Sequence, residues 1–219
     1  MMLSVVIPAL NAAATLGPCL DSVREADEIV VVDGGSTDST AAVPEAFGAR
    51  LVRSPRGRGV QLAAGAAAAK GDWLLFLHAD TRLAPGWRGS AERHIVRRPG
   101  SAACFRFRLD AHEKRARLVE AGVALRVRAL GLPYGDQALL LSRALYESVG
   151  GYRPIALMED VDLVRRIGAR RIDRLEVDAV TSAERWRTGG WFRRSGRNLL
   201  CLACYRFGMS PERLARLYG

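Results

Sequence analysis

The chain is poor in the residues that would build a disulfide scaffold, a zinc site or a nucleic-acid platform. It has four cysteines in 219 residues, Cys19, Cys104, Cys201 and Cys204. So few read as buried thiols in a reducing compartment, and a cytoplasmic location is expected. Cys201 and Cys204 have a Cys-x-x-Cys spacing, but no second ligand pair accompanies them and they do not open a helix after a strand. They are expected to share one helix face and pack. Aromatic residues make up 7% of the chain, and no aromatic-interleaved basic platform occurs, so nucleic acid is not an expected partner. No apolar run approaches the ~20 residues of a membrane-spanning helix. Met1 leads straight into Leu3-Ser4-Val5-Val6-Ile7, without a basic flank or a small-residue cleavage site, and no secretory signal is expected. Internal repeats and low-complexity linkers are also lacking. A single domain over 1–219 is expected, with a nucleotide-binding half (1–83) and a half that completes the site (84–219).

The chain is rich in apolar and basic residues. Hydrophobic residues reach 49%, ample for a core, and the formal net charge is +10. Almost all the basic residues are arginine. They fit a solvated surface, an anionic small substrate or an anionic membrane surface.

Short apolar runs alternate with helical spacing through the first half. Strands are expected at Leu3–Ile7, stopped by Pro8, at Glu28–Val32, at Arg50–Arg53 and at Trp73–Leu77. Helices are expected at Thr15–Glu25, at Ser39–Phe47 with Pro44 as a kink, and at Gly57–Lys70. This order predicts an α/β doubly wound, mostly parallel sheet. The second half is less regular. Helices are expected at Trp87–Arg97, Ala111–Leu130 and Met158–Ile167. A half-buried antiparallel or edge strand is expected at Ala102–Leu109, where Phe105 and Phe107 alternate with Arg106 and Arg108, and a further strand at Ala138–Leu141. The stretch from Thr188 to Gly219 is basic and amphipathic and predicts C-terminal helices.

The most informative stretch is Trp73 to Asp80. A buried strand ends abruptly in His78-Ala79-Asp80-Thr81, and ligands of open α/β sheets sit at such carboxyl ends. Asp33 ends the second strand at the same edge, followed by Gly34 and Gly35. Glu159-Asp160 opens a later helix. One Asp is enough for a hard divalent ion such as Mg²⁺ when water and substrate phosphates complete the shell. His78 is a candidate second ligand for Mn²⁺.

Five pieces in this order resemble the family 2 glycosyltransferases with the GT-A fold, over nearly the whole chain. They are Val5-Val6-Ile7-Pro8-Ala9-Leu10-Asn11, Ile29 through Asp38, Gly57-Arg58-Gly59 through Gly71-Asp72, Leu77-His78-Ala79-Asp80, and Met158-Glu159-Asp160. Gly135-Asp136-Gln137 and the Arg185-Trp186 pair after Glu184 are most similar to a small subgroup described as radical-SAM- or selenodomain-associated transferases. The resemblance implies inverting, metal-dependent transfer of a sugar from a nucleotide sugar, usually a UDP-sugar, to a small-molecule or lipid-linked acceptor. It implies that Asp33 holds the nucleoside and that Asp80 binds Mg²⁺ or Mn²⁺ on the diphosphate. Asp160, with Glu159 beside it, matches the catalytic base. Pro8, Ala9, Asn11, Gly34, Arg58, His78, Ala79, Gln137, Arg185 and Trp186 are the remaining expected donor-binding residues. His78 stands where the family's Asp-x-Asp has its first Asp, and Ser182 stands at the Gln of Gln-x-x-Arg-Trp. With no membrane pore either, processive synthesis is not expected. Peripheral contact with the inner membrane face is compatible with the basic C-terminal stretch. Two other readings are a nucleotidyltransferase and a non-catalytic nucleotide-sugar-binding module. The first lacks a Gly-rich basic loop after the first strand, and the second would not need both Asp80 and Asp160.

Overall fold

A computed structural model describes residues 1–218. Gly219 lies outside the described residues, and with it the end of the expected basic stretch. In chain order the elements are β1 (Leu3–Ala9), α1 (Ala13–Ser22), β2 (Glu28–Asp33), β3 (Arg50–Arg53), α2 (Arg58–Ala68), β4 (Trp73–Phe76), β5 (Thr81–Leu83), α3 (Trp87–Arg97), β6 (Ala102–Asp110), α4 (Lys114–Leu130), β7 (Leu139–Ser142), α5 (Arg143–Ser148), α6 (Glu159–Ile167), β8 (Ile172–Ser182), α7 (Glu184–Gly189), α8 (Trp191–Arg206) and α9 (Pro211–Tyr218). The strands form one sheet in the order β3-β2-β1-β4-β7-β6-β8-β5. The first four are parallel, β7 runs antiparallel to both β4 and β6, and β8 runs parallel to β6 and antiparallel to β5. This mixed α/β sheet with C-terminal helices is the expected fold class.

The core explains the apolar runs. Val5 and Ile7 pack with Leu16, Leu20, Leu75 and Trp87 on one sheet face. Val6, Val30 and Val32 pack with Leu62, Leu74 and Leu163 on the other. Strands buried on both faces carry apolar residues at every position, not at alternate ones.

Four expectations change. Pro8 does not stop β1. It pairs with Val32, and the strand runs on to Ala9. The last Val6 contact on the β4 side is the Leu77 N–H donating to the Val6 carbonyl at 3.0 Å, and the ladder to β4 ends at Val6. Pro8 faces that vacated side, where a missing N–H costs nothing. The helix expected over Ser39–Phe47 is instead two 3₁₀ turns, Ser39–Ala42 and Pro44–Phe47, with Pro44 at the start of the second. β6 is not an edge strand but lies between β7 and β8. β8, eleven residues long, was not anticipated, although Leu175, Val177 and Ala179 alternate with Glu176 and Asp178.

Candidate active site

The cleft opens at the carboxyl ends of β1, β2 and β4, where the strand order reverses on the two sides of β1. It comprises two cavities that meet at Asp80. The larger, about 530 Å³, is lined by Pro8, Ala9, Asn11, Arg58, Gln61, His78, Ala79, Asp80, Glu159 and Arg185 among others. The smaller, about 330 Å³, is lined by Arg58, His78, Asp80, Tyr134, Asp136, Glu159, Asp160, Thr181, Arg185 and Trp186 among others. Both have the size of small-ligand sites.

One wall of the larger cavity is the turn after β1, which the turn after β2 supports from behind. Asn11 has a φ of 48°, a left-handed conformation that asparagine tolerates. Its Oδ1 accepts from the Thr37 N–H at 2.9 Å, and its own N–H donates to Ser36 Oγ at 2.9 Å. Asp33 is 4% exposed and does not line either cavity. Its carboxylate accepts from the Ser36 N–H and hydroxyl. Gly34 also stays behind the cavity wall, where a Cβ would lie 2.9 Å from the Gln61 amide. Gln61, outside the expected site residues, is buried on α2. Its Nε2 donates to the Ala9 carbonyl at 2.8 Å and the Val32 carbonyl at 2.9 Å, tying together the ends of β1 and β2. The only outward sign was one amide in an Ala-rich helix.

Arg58, at the start of α2, crosses to α6. Its Nη1 lies 3.2 Å from Glu159 Oε1. Burial pushes the Glu159 carboxyl above its ordinary value, and Arg58 offsets part of that rise. Asp160 Oδ2 accepts from the Gly135 N–H at 2.8 Å and Oδ1 from the Val161 N–H at 2.7 Å. Each oxygen keeps lone-pair capacity toward the smaller cavity, since a carboxylate offers about four acceptor sites. His78 is held neutral down to a pKa of about 4, first by burial and then by Arg58, against the pull of Asp80 and Asp160. Its ring packs on the Gly135–Gln137 turn, where a Cβ on Gly135 would sit 2.4 Å from His78 Nε2.

Asp80 meets the requirements of a divalent-ion ligand. Its side chain is 19% exposed and its nearest cation is a loose Arg185 contact at 3.8 Å, so its lone pairs are available. Among the described residues, no three His, Cys, Asp or Glu side chains gather as a metal cage. A hard ion would therefore take most of its shell from water and a diphosphate, the usual arrangement for Mg²⁺.

Of the expected donor-binding residues, Pro8, Ala9, Asn11, Arg58, His78, Ala79 and Arg185 line the larger cavity, and Trp186 lines the smaller. Gln137 lines neither. It is 3% exposed, its Nε2 donates to the Phe105 carbonyl at 3.3 Å, and its Oε1 accepts from the Tyr134 N–H at 3.4 Å. Tyr134, Asp136 and Thr181 join the smaller cavity without having been expected there. Backbone strain also collects here. Among the described residues, the non-glycine residues with positive φ are Asn11, Ala138 and Met158. Asn11 lines the larger cavity, Met158 the smaller, and Ala138 follows the Gly135–Gln137 turn. Strained conformations persist where the surroundings over-determine them, and they cluster at functional sites.

An open α/β sheet with a ligand-sized cleft at its switch point and a solitary Asp at the end of β4 defines the GT-A class of fold. Residues 4–146 match the glycosyl transferase family 2 model, and the chain belongs to that family. A PGL/p-HBAD biosynthesis glycosyltransferase of Mycobacterium bovis is 44% identical over 99 residues, covering 37% of this chain and 36% of the relative. Glucosyl-3-phosphoglycerate synthase of Mycobacterium tuberculosis is 37% identical over 92 residues, covering 36% of this chain and 28% of the relative. The chain thus spans about a third of the length of these curated relatives. The crystal structure of that synthase with Mg²⁺ and UDP matches at 27% identity and a TM-score of 0.59, covering 81% of this chain and 69% of the synthase. Its complex with Mn²⁺, UDP and glucosyl-3-phosphoglycerate matches at 26% identity and a TM-score of 0.58.

Proposed function

We propose that the chain transfers a sugar from a UDP-sugar, held with Mg²⁺ or Mn²⁺, to a hydroxyl of a small-molecule acceptor, with inversion at the anomeric carbon. The observation that carries this reading is the meeting of two cavities at Asp80, the smaller of which Asp160 also lines. The larger cavity takes the nucleotide against Pro8, Ala9 and Asn11, and Asp33 fixes the turn behind it. Residues 1–83 supply most of that wall, and the second half closes it through Glu159 and Arg185. A divalent ion at Asp80 would neutralise the charge of the departing diphosphate. Arg58 and Arg185, which line both cavities, add positive charge at the same end. Asp160 accepts the proton of the acceptor hydroxyl, which becomes acidic as the new bond forms. Glu159 is engaged by Arg58, so Asp160 acts as the base in a single displacement.

Thermal unfolding with UDP and Mn²⁺ tests this reading. Ligand at 100 times its Kd stabilises by about 2.7 kcal/mol, which raises Tm by roughly 5–10 °C for a domain of this size. No shift with UDP and Mn²⁺, but one with another nucleotide, would replace uridine. No shift with any nucleotide would overturn the reading.

A lipid-linked acceptor at an anionic membrane surface is favoured by a separate observation. Trp191 is buried, as an ordinary packed helix requires, but Phe192 is 65%, Leu200 63% and Phe207 92% exposed. On α4, which packs against α8, Leu118 and Leu125 are exposed as well. Arg193 and Arg206 on α8 and Arg213 and Arg216 on α9 are exposed as well. Among the described residues, no helix is long and apolar enough to cross a membrane, so contact would be interfacial. Each arginine near an anionic leaflet contributes about 1 kcal/mol. Sedimentation with phosphatidylserine-containing vesicles, but not with neutral ones, is expected. Equal, negligible pelleting with both would leave the small-molecule acceptor.

A further inference from the structure

Buried polar atoms without a partner border the smaller cavity. Among the described residues, nothing hydrogen-bonds Tyr134 Oη, Asp136 Oδ1 or Trp186 Nε1, and all three residues line this cavity. Buried polar groups left unpaired are costly and rare in native proteins. Here the three come from two pieces of chain, the turn at 134–136 and Trp186 on α7, and their residues line one cavity: a carboxylate acceptor, an indole donor and a hydroxyl able to do either. Two of them are borne on aromatic rings, the combination that binds a molecule with apolar faces and hydroxyl edges.

The Asp136 side chain is held where it is by its backbone. The Gly135 N–H donates to Asp160, Thr181 Oγ1 donates to the Asp136 carbonyl at 3.3 Å, and the Gln137 amide is anchored to β6. None of these bonds uses the Asp136 carboxylate. Arg126 is stacked over the Tyr134 ring at 3.5 Å, which fixes that ring as well. The turn lies between the two ends of the proposed reaction. On one side it packs on His78, two residues before Asp80, and on the other it bonds Asp160. On the UDP-sugar reading, a sugar whose phosphate is held at Asp80 and whose anomeric carbon meets a nucleophile at Asp160 lies beside this turn.

Resting on the UDP-sugar reading above, we propose that Asp136 determines sugar specificity by accepting a hydrogen bond from a ring hydroxyl of the transferred sugar, with Trp186 Nε1–H and the Tyr134 hydroxyl donating to other oxygens of the same ring. The donor is then a sugar with a free hydroxyl at that position. Its deoxy analogue is rejected, because a site built around a hydroxyl discriminates strongly against a substrate lacking one.

Calorimetric titration of the full chain with Mn²⁺ and UDP, UDP-glucose, UDP-galactose or UDP-N-acetylglucosamine tests this. Asp136→Asn keeps the shape and changes the acceptor. It is expected to weaken the best-bound UDP-sugar about tenfold or more, the effect of a charge-assisted hydrogen bond, while UDP itself stays within about twofold. Trp186→Phe, which removes one donor and keeps an aromatic ring, is expected to show the same selectivity. Among monodeoxy analogues of the best donor, one should lose the same factor in the wild type and nothing further in Asp136→Asn, since the paired partners are then already gone. Equal weakening of UDP and UDP-sugar by Asp136→Asn would place the residue at the diphosphate end and overturn the proposal. Unchanged affinity for every UDP-sugar would also overturn it. If UDP does not bind the wild type at all, the uridine reading fails first, and this proposal with it.

Discussion

Replacing Gln61 with Leu tests whether the larger cavity depends on the tie between β1 and β2. Leu fills a similar volume but removes a buried donor that serves two carbonyls, Ala9 at 2.8 Å and Val32 at 2.9 Å. The Ala9 carbonyl keeps a second partner, the Gly34 N–H at 3.0 Å, so its loss is partial. A net hydrogen bond contributes about 1 kcal/mol, and leaving a buried group unsatisfied costs about 1–3 kcal/mol. The apolar gain of Leu offsets part of this. A net destabilisation of about 1–3 kcal/mol follows. For a chain of this length each 1 kcal/mol lowers Tm by roughly 2–4 °C, so scanning calorimetry should show a fall of about 2–12 °C. The same substitution frees the ends of the strands that form the cavity floor, so the UDP-induced shift in Tm should shrink. A Tm within 1 °C of the wild type, together with an undiminished UDP shift, would refute the assignment of Gln61 as the tie.

Asp80→Asn is expected to abolish the Mn²⁺ dependence of UDP binding while leaving the apo Tm close to that of the wild type. Undiminished Mn²⁺-dependent affinity would remove Asp80 as the metal ligand. Asp160→Asn should retain donor affinity but lose turnover by at least a hundredfold, the usual scale of general-base contributions. A near wild-type rate would leave Glu159 as the next candidate. Acid stability separates two opposed groups. Burial raises the Asp136 carboxyl from 3.8 to about 6, so between those values the folded chain holds a proton that the unfolded chain has lost, and stability falls as pH rises. His78 is lowered from 6.5 to about 4, so over that range the unfolded chain holds the extra proton and stability rises with pH. The two slopes largely cancel in the wild type. Urea titrations between pH 4 and 6.5 should therefore show Asp136→Asn losing stability on acidification more steeply than the wild type, and parallel curves would contradict the burial of Asp136.

The two sides of the cleft differ in how far the sequence discloses them, for a physical reason. The side proposed for the nucleotide is local. β1, β2 and β4 are buried on both faces and read as short apolar runs, and the runs of β1 and β4 end in loops that line the larger cavity. Asp80 and Asn11 are thus found by looking one step past a strand. Arg50–Arg53 and Trp87–Arg97 match the observed element bounds because Gly48 and Gly86, both at positive φ, delimit them sharply. Asp33 ends β2, as the apolar run before it implies, but its hydrogen bonds to Ser36 are not legible in a strand-end position. The side proposed for the reaction joins residues more than 100 apart in sequence, as Arg58 and Glu159 are, and its signals are tertiary. Nothing in Gly135-Asp136-Gln137 indicates that the middle residue keeps an unpaired oxygen while its neighbour Gln137 turns into the core.

Thr181 shows how far apart the joined pieces lie. β8 pairs with β5 so that Thr81 and Thr181 are opposite one another, and their hydroxyls meet at 2.8 Å in a buried contact. The Ser182 N–H donates to the Asp80 carbonyl at 3.0 Å. From the same strand end, the Thr181 hydroxyl also reaches the Asp136 carbonyl. The turn carrying Asp80 and the turn carrying Asp136 are therefore both fastened to the last two residues of β8, just before α7 delivers Arg185 and Trp186. A strand that touches the cavity only at its end sets the distance between the proposed metal-bearing carboxylate and the proposed sugar-reading one. The register of β8 against β5 and β6 fixes that distance, since a slip of one residue would turn the Thr181 side chain to the opposite face of the sheet. Shape on the reaction side is thus determined by strand pairing far along the chain, and it becomes visible only once the sheet is closed.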